Sequence, residues 1–120
     1  MGMAADVFIE VPLSTGSGGG PYRAYAQLFV DRTSALQLHV INGSDGDPPY
    51  EITDLSPEAG ARLQANADRM SDAYEIKSSD PEISARRARV RGQVTAEVDA
   101  ALAAMRSLGP GARIVFWYFG

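Results

Sequence analysis

The chain contains no cysteine, a single histidine (His39), a single lysine (Lys77), and no apolar run of membrane-spanning length. Each shortage removes a class of function. Without thiols there is no disulfide framework, no thiolate metal centre and no cysteine nucleophile. One histidine cannot build a multi-histidine zinc site or a His-pair metalloprotease motif. A membrane helix needs about 20 consecutive apolar residues, which the chain does not offer. The segment after Met1 lacks a basic region, and its apolar run is broken by Glu10 and Pro12, so no secretory signal is expected. These absences point to a cytoplasmic protein with no membrane contact.

What is present fits one folded unit, residues 1–120. The chain is 45% hydrophobic with a formal net charge of −4, too apolar and too weakly charged for a disordered protein. Ten arginines face nine aspartates and six glutamates. That balance argues against a nucleic-acid partner, which requires clustered positive charge to displace counterions. The local exception is Arg86, Arg87, Arg89 and Arg91.

Patterning divides the chain into a strand-like half and a helical half. Val7, Ile9, Val11 and Leu13 alternate with Phe8, Glu10 and Pro12, predicting a half-buried strand. A Gly-rich loop, 14–20, follows it. Pro21 to Asp31 alternates again, and 35–41 places Leu36, Leu38 and Val40 opposite Gln37, His39 and Ile41; the two runs are expected to pair as a hairpin. Residues 42–49 are dense in turn formers, and a short strand is expected over 50–54. Ser56-Pro57-Glu58 is a helix start, with the helix expected to reach Tyr74. Asp80-Pro81-Glu82 opens a second helix running to Gly109-Pro110. Residues 112–119 are almost unbroken aromatic and β-branched, as in a strand covered on both faces. The expected fold is therefore α+β, an antiparallel or mixed sheet of four to five strands with an αα-hairpin on one face, in the order β-β-β-(β)-α-α-β.

Chemistry-bearing patterns are few. The Gly-rich loop leads into a strand and has no lysine, so it does not form a phosphate cradle. Asn42, Ser44, Asp45 and Asp47 crowd oxygen ligands, but the register of a calcium loop would place Ile41 at the first ligand position. Neither a Gly-x-Ser-x-Gly elbow nor a base pairing with His39 is apparent, so no catalytic residue, metal or cofactor is assigned. Two kinds of contact remain. The Asp45, Asp47 and Tyr50 loop and an aromatic row with Trp117 and Phe119 are candidate partner-binding surfaces. Arg87 falls within the apolar stripe of the second helix and Arg91 at its margin, and these two are candidate anion- or ligand-binding residues.

By elimination, these features fit a small protein-binding module acting by occlusion or assembly, as a toxin-neutralising immunity protein or phage-type inhibitor does. An anionic-ligand binder or small enzyme with a pocket between sheet and helices is the alternative. A structural homo-oligomer is a third.

Overall fold

The structure, a computed structural model, describes residues 4–13, 21–43, 52, 54–65 and 73–119. It is an α+β fold with one four-stranded antiparallel sheet. The elements in chain order are β1 (Ala4–Pro12), β2 (Tyr22–Val30), α1 (Arg32–Asn42), α2 (Pro57–Ala65), β3 (Tyr74–Lys77), α3 (Ile83–Arg87), α4 (Ala96–Ser107) and β4 (Arg113–Phe119). The strands lie in the order β2-β1-β4-β3, so the first and last strands of the chain form the centre.

The alternation in β1 sorts its side chains between two cores. Ala5, Val7, Ile9 and Val11 join Ile114, Phe116 and Tyr118 of β4 beneath α1, α3 and α4. Phe8 joins Val115 and Trp117 on the opposite face, where Ala59 and Leu63 of α2 close over them. The unbroken apolar run of β4 follows directly from this double cover. A bulge splits β2: Ile9 pairs with Ala26 and Glu10 with Ala24, leaving Tyr25 as the extra residue. Ala26 therefore packs beneath the three helices and Ala24 on the α2 side, although both lie at even positions of one strand.

Several expectations are corrected, beginning with the half-buried strand at the start of the chain: Ala5 to Val11 of β1 are buried on both faces. The partner of β2 is β1, and residues 35–41 belong to helix α1. The Asp31 carboxylate accepts the Ser34 N–H at 2.9 Å and caps this helix, and Ser34, Ala35, Leu38 and Ile41 are buried at helical spacing. Ile52 and Asp54 carry no strand geometry, and the rest of the 50–54 strand lies outside the described residues. Helix α2 starts as expected, with Ser56 Oγ accepting the Ala59 N–H, but Tyr74 opens β3, the far edge of the sheet. The expected long second helix is two pieces, because Gly92 takes a left-handed φ of 77° and Thr95 caps a new helix, α4. With β3 between α2 and α3, no αα-hairpin forms. The loops at 14–20 and most of 42–49 also lie outside the described residues.

Candidate functional site

Two clusters of charge stand out, one buried and saturated, the other open. The buried one centres on Arg113 of β4. Its Nε donates to Glu10 Oε1 at 2.9 Å, and Nη1 donates to Asp54 Oδ1 at 3.0 Å and Glu75 Oε2 at 2.7 Å. Nη2 donates to the Asp54 carbonyl at 3.0 Å and lies 2.8 Å from Glu10 Oε1. The guanidinium also stacks on the Tyr22 ring, 3.7 Å from its centroid. Every N–H of this arginine has an acceptor, so its chemistry is spent within the fold.

Glu10 Oε2 in turn accepts the Ser56 N–H at 2.7 Å, fastening the start of α2 to the sheet. Burial works against the Arg113 charge, but its hydrogen bond to Glu75, the Glu10 charge and its hydrogen bonds to Asp54 and Glu10 outweigh it and hold the group protonated above its already high value. Burial raises the Tyr22 phenol, with the nearby Arg113 charge opposing it. A depression of about 480 Å³ beside this cluster is walled by Tyr22, Asp54, Leu55 and the two prolines Pro21 and Pro57.

The open cluster lies on the other side of the sheet, outside the helical layer. Helix α1 and the stretch 86–91 enclose a groove of about 540 Å³. Leu36, Val40 and Val90 give it an apolar lining, and Arg86, Arg89 and Arg91 surround that lining. Leu36 is 43% exposed, one of the largest apolar side chains open to solvent. A strand over 35–41 would put this residue on the same face as Leu38, whereas the helix turns Leu36 outward and buries Leu38.

The groove has rigid walls. Gln37 clamps the chain beyond it, its amide nitrogen donating to the Gln93 carbonyl at 3.1 Å and its oxygen accepting the Thr95 N–H at 2.9 Å. Ser34 Oγ and Thr95 Oγ1 are hydrogen-bonded at 2.7 Å beside this clamp. Arg86 Nε donates to the Ile41 carbonyl at 2.6 Å, and its guanidinium pairs with Asp80. The stem of Arg86 runs against Gly43, which sits at φ 80° and has no room for a side chain. Arg86 is thereby fixed as a wall. Arg89 and Arg91 are exposed and make no ion pair among the described residues.

Burial pushes the Asp80 carboxyl up, but the Glu82 N–H and the Arg86 guanidinium pull harder, leaving it below the usual aspartate range. A carboxyl lowered by folding contributes stability above its unfolded pKa of about 4, lost as pH falls through the folded value. Asp80→Asn should therefore lower the unfolding midpoint at neutral pH, with the difference from wild type closing below about pH 4. A gap that stays constant down to pH 2 would contradict this coupling.

The residues singled out from sequence are dispersed. Arg91 lines the groove. Arg87 does not: it pairs with Asp99 at the first turn of α4, Nη2 to Oδ1 at 2.8 Å, in a separate shallow depression. Trp117 is fully buried, stacked on Phe8 with ring centroids 5.6 Å apart, so it offers no open aromatic surface. Helix α2 supplies that cover. The side chain of Phe119 and the whole of Asp45, Asp47 and Tyr50 lie outside the described residues. His39 sits on α1, half-buried, with its ring edge-on to Tyr74 at 5.1 Å and tilted against Tyr118 at 6.0 Å. Among the described residues, no group of three or more acidic, histidine or cysteine side chains is placed to hold a metal ion. Nor is any helix among them long and apolar enough to cross a membrane.

Arg89, Val90 and Leu36 were not foreseen as site residues. A continuous helical wheel over 80–109 turns Arg89 to solvent, whereas with the helix broken after α3 it lines the groove beside α1. The chain matches no protein-family model, no curated protein and no solved structure.

Proposed function

We propose that the chain is a protein-binding module whose contact surface is the groove between α1 and the stretch 86–91. The observation that supports this reading is the pairing of an apolar lining with two arginines that make no ion pair among the described residues, on walls cross-linked by Gln37 and Arg86. Interface centres combine desolvated apolar contact with arginine, and pre-formed walls reduce the ordering cost of association. The saturated Arg113 cluster offers neither property. Binding at such a surface acts by covering a partner or holding it in place, with no bond chemistry required.

Leu36→Glu tests the reading, because it puts a charge into the apolar lining at an exposed helical position. The wild-type chain, immobilised, should retain a stoichiometric partner from its native host, and the variant should lose it at an unchanged thermal midpoint. Equal retention by both chains would reject the groove as the contact. The groove volume of about 540 Å³ also falls in the range of small-ligand sites and favours, as a second reading, an anionic small molecule. In that case a thermal-shift panel of anionic metabolites would stabilise the wild type and not Leu36→Glu.

A further inference from the structure

We infer that the segment this groove receives is an acidic stretch of a partner protein, with side-chain carboxylates on Arg89 and Arg91 and one apolar side chain against Leu36, Val40 and Val90. The inference rests on the groove being the contact surface, and adds the chemistry of what enters it.

Charge complementarity carries the argument. The protein is acidic overall, with a net charge of −4, and several of its described arginines are committed to carboxylates: Arg62 to Asp6, Arg86 to Asp80, Arg87 to Asp99 and Arg113 to Glu10, Asp54 and Glu75. Arg89 and Arg91 are not, although they stand two residues apart beside one apolar lining. Two neighbouring like charges with no counter-charge among the described residues repel each other, and an acidic segment relieves that repulsion on binding. The planar guanidinium fork matches a carboxylate bidentately.

The lining decides between sources of negative charge. Among the described residues it contains no aromatic side chain, the usual platform on which successive nucleic-acid bases stack. Its apolar part is concave and flanked by the fixed Arg86 and by Gln37, a shape that accepts a side chain and not a bilayer surface. A polyanion without an apolar group would leave Leu36, Val40 and Val90 wet, forfeiting the hydrophobic share of the contact.

The test uses three fluorescein-labelled peptides and the full chain in anisotropy titrations at physiological salt. The first is Asp-Glu-Leu-Phe-Glu-Asp, the second its Asn/Gln counterpart, and the third hexaglutamate. The first should bind at least about tenfold more tightly than either control, the scale of one lost charge-assisted or apolar anchor. Arg89→Ala/Arg91→Ala should lose that preference over the amide peptide while keeping its thermal midpoint. Hexaglutamate binding as well as the first peptide would reduce the site to nonspecific charge and overturn the inference, as would an amide peptide that binds equally. Tighter binding of a phosphoserine peptide, a single-stranded oligonucleotide or phosphatidylserine vesicles would overturn it in favour of that anion.

Host-partner capture separates the two levels. A partner lost with Leu36→Glu but kept by Arg89→Ala/Arg91→Ala leaves the groove reading standing and removes the acidic segment. A partner kept by both variants removes both.

Discussion

Arg113→Ala is expected to cost about 3–5 kcal/mol of folding stability, the usual consequence of breaking a buried ion pair by removing one partner. The loss is large because of what remains behind. Glu10 is fully buried, and without the guanidinium its carboxylate keeps, among the described residues, the Ser56 N–H alone as a partner. Asp54 and Glu75 lose the shared Nη1 that holds them together, and the Asp54 carbonyl loses its donor. Arg113→Lys should recover only part of this, since a point-charge ammonium with three donors cannot reproduce the planar contacts to β1, β3 and the segment before α2.

Arg113→Met combined with Glu10→Gln should be less damaging than Arg113→Ala alone. It removes both buried charges together while the amide oxygen still accepts the Ser56 N–H. Urea unfolding of the four chains measures each step, and an Arg113→Ala loss below about 1 kcal/mol would show that the cluster does not behave as a buried pair. Groove binding should be unchanged in the folded fraction of every variant, because the cluster lies on the α2 side of the sheet and the groove outside the opposite layer.

This division of labour among arginines explains why the site was only half legible in the sequence. Burial and pairing depend on partners distant in the chain: Arg113 meets Glu10 across 103 positions, and no local pattern announces it. The helical wheel placed Arg87 in an apolar stripe on the assumption that 80–109 is continuous. That spacing persists across the real break because Val90 and Val94 still pack against the core from an irregular segment. Once Gly92 ends the stretch, Arg87 swings to Asp99 and Arg89 and Arg91 face α1. Residues 35–41 satisfied two periods at once, and the cap at Asp31 was the deciding local feature: a carboxylate three residues before a buried Ser34 favours a helix. Alternation and apolar continuity announced the two central strands as strands, but not their neighbours: β1, expected half-buried, is buried on both faces and lies between β2 and β4. The four-residue β3 was hidden, because Tyr74 also completes the apolar stripe of the preceding helix.

The burial of Trp117 gives the second large effect, and the contrast between two substitutions tests it. Trp117→Ala should destabilise by about 3–5 kcal/mol, through lost transfer energy and a cavity between Phe8 and α2. Trp117→Phe should cost far less, under about 1.5 kcal/mol, and the reason lies in the indole nitrogen. Trp117 Nε1 is buried and has no hydrogen-bond partner among the described residues, nor does Oδ1 of Asp6, its cross-strand neighbour in the β1–β4 register. A buried donor without an acceptor carries a desolvation penalty of about 1–3 kcal/mol. Removing it with the smaller phenyl ring returns part of the energy that the lost volume costs, while the stack on Phe8 is retained. Because Trp117 is the sole tryptophan, the wild-type chain reports its own unfolding by a red shift in emission. The variants are followed by circular dichroism. If Trp117→Phe proved as damaging as Trp117→Ala, the indole N–H would have to be engaged in the folded protein. If both left stability and partner binding near wild type, the ring would not be the buried centre of the α2-side core.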